Sequence, residues 1–183
     1  MFVLWLRRAA LPESFEVPRA ETDHGSADVG SRSGADSRRW TKAELRRLVV
    51  VHDTSFSQAQ INPALATPEL RREFPPVRHA LVRRNPANGR ESVFVGRHAA
   101  RIEGEPEAEG RALLRWLTGW VGQRRFRWRV SWGGADHPAV MWDERCLLHR
   151  GRPWDRGAAK RLLVRTTVCG DDDDGRTAER VRL

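Results

Sequence analysis

Residues Glu105 to Trp120, EPEAEGRALLRWLTGW, form the clearest helix in the chain, and that helix limits what the rest can build. Pro106 suits a first turn, where its missing N–H is no loss, and Glu105, Glu107 and Glu109 complement the positive end of the helix dipole. Leu113, Leu114, Leu117 and Trp120 recur at helical spacing on one face, which reads as a stripe for core packing. A helix with one apolar face must lay it on another layer. The neighbouring sequence offers only strand-length pieces: HALVRRN and ESVFVGR on either side of Pro86-Ala87-Asn88-Gly89, then Phe126 to Val130, Ala139 to Trp142, Cys146 to His149 and Leu162 to Val168. Asn88-Gly89 supplies the positive φ of a hairpin turn. Many short strands under one helix predict a mainly β fold with flanking helices (α+β), part of a jelly roll, the double-stranded β-helix.

The remaining patterning divides the chain into three zones. Residues 1–40 contain SADVGSRSGADSRR, a Gly, Ser, Asp and Arg mixture with no apolar period, and are expected to be poorly ordered. Residues 41–170 carry the periodic segments and form the domain. It opens at Thr41, an N-cap with Glu44 three positions on, followed by an apolar run. Residues 171–183 begin with four Asp and read as an acidic, mobile tail. Trp132 to His137, WGGADH, reads as a surface loop.

Charge and cysteine content exclude several classes. The 183 residues carry a net charge of +9, yet Lys42 and Lys160 are the only lysines among the 33 basic residues, and the arginines are spread along the whole chain. That pattern lacks the dense basic arm or interleaved stacking surface of a strand binder, so nucleic acid is not the expected partner. Cys146 and Cys169 lack the spacing of a zinc site or disulfide framework and suit a reducing cytoplasm as buried thiols. The start, MFVLWLRR, is too short before its first Arg for a signal peptide core or a membrane span, and a cytoplasmic protein is expected.

The chemistry-bearing stretch is Trp142 to Thr167, WDERCLLHRGRPWDRGAAKRLLVRTT. Arg161 and Arg165 are four apart, so on a strand with period two they project from one face. A guanidinium matches a carboxylate bidentately, and two of them beside a neutral His make an anion clamp. On the residues alone, His149 could equally be a hydrogen-bonded structural histidine, and the two Arg could be salt-bridged or solvated.

Taken with FPPVRHALVRRNPANGRESVFVGRHAARIEG, EPEAEGRALLRWLTGW and FRWRV, in that order, this stretch resembles the C-terminal portion of the TauD/TfdA (taurine/chlorophenoxyacetate) family of iron(II), α-ketoglutarate-dependent dioxygenases. The similarity covers Pro75 to Gly170 and extends back to about Glu21. It implies the jelly-roll fold, iron(II) and α-ketoglutarate as cofactors, and a small-molecule substrate, possibly anionic. It makes His149 the distal iron-ligating His, pairs Arg161 with the far carboxylate of α-ketoglutarate, and turns Arg165 toward the cosubstrate or an anionic substrate. Thr22 loosely resembles the family's α-ketoglutarate-contacting Thr, and Trp154 and Asp155 fall in the loop after the ligand.

The chain departs from the family at the other two metal ligands. The family's His-X-Asp or His-X-Glu motif completes a facial triad of two His and one carboxylate. None of the six His here has an acid two positions on, and counting back from His149 places the motif at or just before Met1. The pairs His52-Asp53 and His24 with Asp28 lack the family spacing and are not expected to replace it. The reading is therefore a dioxygenase family member that is truncated, with a catalytically inactive anion-binding or interaction module as the alternative.

Overall fold

The computed structural model of the chain describes residues 2–7, 14–18, 40–131, 139–153 and 163–168. Two strands come first, β1 (Phe2–Arg7) and β2 (Ser14–Pro18). The capping box at Thr41 forms as expected. Thr41 Oγ1 accepts from the Glu44 amide at 3.2 Å, and the Thr41 amide donates to the Glu44 carboxylate at 2.8 Å, starting helix α1 (Lys42–Leu45). The β-branched run that follows is strand β3 (Val49–His52). Asp53 caps α2 (Thr54–Ala59) by accepting from the Ser55 and Phe56 amides, and Thr67 caps α3 (Pro68–Glu73), whose Pro68 sits in the first turn.

Next come β4 (Val77–Ala80), β5 (Val82–Arg84), β6 (Glu91–Val93) and β7 (Ala99–Ile102). The β5–β6 pair is the expected hairpin, in antiparallel register from Val82 opposite Val93 to Arg84 opposite Glu91, and Gly89 turns it at φ +70°. Strand β3 lies between β4 and β7, antiparallel to both. Then follow helix α4 (Glu107–Val121) and strands β8 (Arg127–Ser131), β9 (Ala139–Asp143), β10 (Arg150–Gly151) and β11 (Leu163–Val168).

The core sits between α4 and the β3, β5, β6 and β7 strands. Leu113, Leu114, Leu117 and Val121 on the helix meet Val50, Leu81, Val93, Val95, Ala99 and Ile102 in one buried cluster. Each Val, Leu or Ile side chain in it contributes about 1.5–3 kcal/mol by leaving water. Gly110 is buried where the helix meets β7; a Cβ there would lie 3.5 Å from that of Ile102, an ordinary van der Waals contact. Arg111 locks the same junction by donating to the Ala99 and Ala100 carbonyls while its guanidinium covers the Phe56 ring. Trp120, expected in the stripe, is half-buried beside it, stacked between Trp116 and Phe126.

Two further antiparallel sheets extend the β content, with orders β11-β1-β9 and β10-β2-β8. Within residues 1–40, Phe2–Arg7 and Ser14–Pro18 are the central strands of these sheets, and apart from Trp40 the rest of that segment lies outside the described residues. A six-residue apolar run has no period long enough to announce itself, and pairing on both sides decides its state. Cys146 to His149, expected as a strand, is instead a turn, an isolated bridge at Leu147 and a short loop, with pairing resuming at Arg150. There the Asp143 carbonyl accepts from the Leu147 amide, which folds the chain back on itself. The expected 132–137 loop and 171–183 tail lie outside the described residues. Among those described, no helix is long and apolar enough to cross a membrane.

Candidate functional site

Strand β9 sets the inward direction at the candidate site. Val140 and Trp142 are buried, whereas Met141 between them is 66% exposed, so alternate residues divide cleanly between core and solvent. Register carries this division across the sheet. Trp142 lies opposite Val3, which lies opposite Thr167; Val140 lies opposite Trp5, which lies opposite Arg165. Arg165 thus occupies the register row of Val140. Exposed Thr166 falls in the row of Met141.

The chain leaves β9 through a hydrogen-bonded turn. The Asp143 carboxylate accepts from the Arg145 amide at 2.9 Å and forms a bidentate pair with the Arg145 guanidinium, Nε to Oδ1 at 2.9 Å and Nη2 to Oδ2 at 2.8 Å. The buried Ser92 hydroxyl, on β6, donates to the Arg145 carbonyl at 3.0 Å and ties the turn to the hairpin. Leu148 then packs on the core cluster. His149 follows, half-buried, its ring centroid 4.9 Å from that of Trp142 and its Nδ1 3.4 Å from Glu144 Oε1.

Of the residues singled out in the sequence, His149 is thus placed in detail and Arg165 by its register. Arg161, Thr22, His24, Trp154 and Asp155 lie outside the described residues. Cys146, expected to be buried, is half-buried, its thiol 3.7 Å from the Asp143 carbonyl; Cys169 lies outside the described residues. Asp53 is the α2 cap, and His52 packs edge-on to His79 and against Phe94, which also meets the His79 ring and the Arg83 guanidinium. Burial pushes the His52 imidazole down to about 4, with His79, His98 and Arg83 adding to the effect. His98, whose Nδ1 lies 2.7 Å from the buried Ser57 hydroxyl, is also shifted down by burial.

Sequence reasoning missed Glu144 and Ser92. Glu144 stood in the quoted WDERC motif, but no spacing rule links an acid to a His five residues on through an irregular turn. Ser92 is separated from the turn by 53 residues and carries no local signal.

The described residues fit one ligand of a metal site and not a complete set. His149 is a half-buried imidazole with a carboxylate at its Nδ1, the arrangement common to ligating histidines. Among the described residues, however, no group of three or more His, Cys, Asp or Glu converges to hold a metal ion.

The chain is 37% identical over 177 residues to an α-ketoglutarate-dependent 2,4-dichlorophenoxyacetate dioxygenase of Cupriavidus pinatubonensis, a match that takes in 85% of this chain and 58% of that enzyme. It is 32% identical over 136 residues to the (S)-phenoxypropionate/α-ketoglutarate dioxygenase of Sphingobium herbicidovorans, covering 71% of this chain and 46% of the relative. The crystal structure of AAD-2 in complex with Mn(II) and N-oxalylglycine superposes with a TM-score of 0.79 at 30% identity, covering 94% of this chain and 64% of that one. The chain therefore spans less than two thirds of the length of each of these proteins, and the neighbours identify its sheets as part of a jelly roll. The model of the taurine catabolism dioxygenase TauD, TfdA family matches residues 37–167, and the chain belongs to that family of iron(II)/α-ketoglutarate-dependent dioxygenases.

Proposed function

We propose that residues 41–170 carry the portion of an α-ketoglutarate-dependent dioxygenase that holds the distal imidazole and the carboxylate end of the cosubstrate. In this reading His149 is the iron(II)-ligating imidazole, Arg161 pairs with the far carboxylate of α-ketoglutarate, and Arg165 faces the cosubstrate or substrate. Thr22 is a further cosubstrate contact. The observation that carries the reading is the arrangement at the end of β9. His149 is held between the Trp142 ring and Glu144, and Arg165 lies in the register row of Val140 on the same three-stranded sheet. A permanently charged, fork-shaped guanidinium is suited to a dicarboxylate. The relatives' names point to small carboxylates as substrates, 2,4-dichlorophenoxyacetate and (S)-phenoxypropionate, and an anionic small molecule is the substrate class proposed here.

The 183-residue chain alone is expected not to turn over α-ketoglutarate, because one imidazole leaves a metal mostly water-coordinated. Titration calorimetry with N-oxalylglycine tests the anion reading. Saturable binding should weaken about tenfold or more in Arg161→Ala, the loss of one charge-assisted bidentate pair. Equal affinity in both proteins would remove Arg161 from the site. A succinate-release assay with iron(II), ascorbate and α-ketoglutarate tests turnover; succinate that disappears in His149→Ala would mean that other residues of this chain complete the metal site.

A further inference from the structure

Three acidic or basic side chains follow one another at Asp143-Glu144-Arg145, and nearest-neighbour pairing would join Glu144 to Arg145. The structure pairs them otherwise. Both oxygens of Asp143 are engaged by the Arg145 guanidinium, and the Arg145 amide also donates to Asp143. Glu144 is left to point at His149, with Oε1 3.4 Å from Nδ1 and both side chains about a quarter exposed. The Trp142 ring limits the imidazole from another side. The turn that presents Glu144 is itself braced, by the Asp143 carbonyl accepting from Leu147 and by Ser92 holding the Arg145 carbonyl.

We infer that Glu144 is a positioning residue for His149: its carboxylate accepts the Nδ1–H of the imidazole and holds the ring in the tautomer that carries its lone pair on Nε2. A neutral imidazole has one N–H and one acceptor nitrogen, and the partner of one nitrogen decides the state of the other. A carboxylate accepts only, so a hydrogen bond across this 3.4 Å contact requires Nδ1 to be the donor. The inference deepens the proposed role of His149 as a ligand, which needs a bare ring nitrogen, but its test requires neither metal nor cosubstrate.

The test is nitrogen-15 NMR of the imidazole ring in the metal-free, cosubstrate-free 183-residue chain, at a pH where the ring is neutral, with the His149 signals assigned by their loss in His149→Ala. The wild-type ring should show a protonated Nδ1 and a bare Nε2. In Glu144→Ala the ratio of the two tautomers should move by about tenfold or more toward Nε2–H, the loss of a hydrogen bond to a charged acceptor. Glu144→Gln, whose carboxamide oxygen still accepts, should retain Nδ1–H. A wild-type ring with Nε2 protonated would overturn the inference, as would an unchanged ratio in a folded Glu144→Ala protein. Should Glu144→Ala fail to fold, the wild-type ring alone decides. N-oxalylglycine binding is measured separately, so the tautomer result and the anion-site result stand or fall independently.

Discussion

The α4 interface and the His149 turn are held by different forces. Under α4, Val50 and Leu81 are fully buried and Leu113 nearly so, and shape and apolar area do the holding. At the turn, His149, Glu144, Asp143 and Arg145 all keep part of their surface in water, and directional polar contacts fix the geometry. Apolar packing tolerates no gap but little cares which atoms fill it; a polar turn depends on individual donors and acceptors. A stable scaffold thus supports a site that single atoms can disturb.

If the two regions are as distinct as this, substitutions should separate them. The largest effect is expected in the core, where Leu113→Ala should cost roughly 2–5 kcal/mol through lost burial and the cavity left behind, seen as a lower denaturant midpoint. A loss below about 1 kcal/mol would mean that the helix interface is loosely packed. Ser92→Ala should cost on the order of 1–3 kcal/mol, because it leaves a carbonyl without its donor. Its distinguishing sign is local: amide exchange at Cys146 and Leu147 should accelerate more than exchange in α4.

Acid should strike the β3–β4 face. The folded His52 imidazole is held down to about 4 by burial first and then by His79, His98 and Arg83, against 6.5 when unfolded. Between those values the unfolded chain binds the proton and the folded chain does not. Stability is therefore full above pH 6.5, falls as pH drops toward 4, and loses on the order of 1–3 kcal/mol from this group. Asp53, the charged neighbour of His98 from α2, works in the opposite sense on His98 and only partly offsets burial there. His52→Phe should flatten the stability profile in that window, and an unchanged slope would assign the acid sensitivity elsewhere. The smallest effect belongs to Arg46→Ala. Its bidentate pair with Glu91 is solvent-exposed, and thermal melts of the two proteins should nearly coincide.

Local sequence determined the pieces that depend on near neighbours. The Thr41 capping box, the Asn88-Gly89 hairpin, the apolar stripe of α4 and the mainly β content all rest on spacings of a few residues, and all formed as expected. The WDERCLLHRG and RLLVRTTV motifs likewise carried the family, because a motif compresses tertiary information that periodicity lacks.

Tertiary structure decided the rest. Phe2–Arg7 became a central strand only because β9 and β11 flank it, and Cys146 to His149 left the strand state because Asp143 and Ser92 hold it as a turn. The choice of Asp143 by Arg145, which leaves Glu144 for His149, is a matter of atoms meeting in three dimensions. A six-residue strand and a polar turn have too little local energy to choose their own conformation, so partners distant in sequence choose it for them.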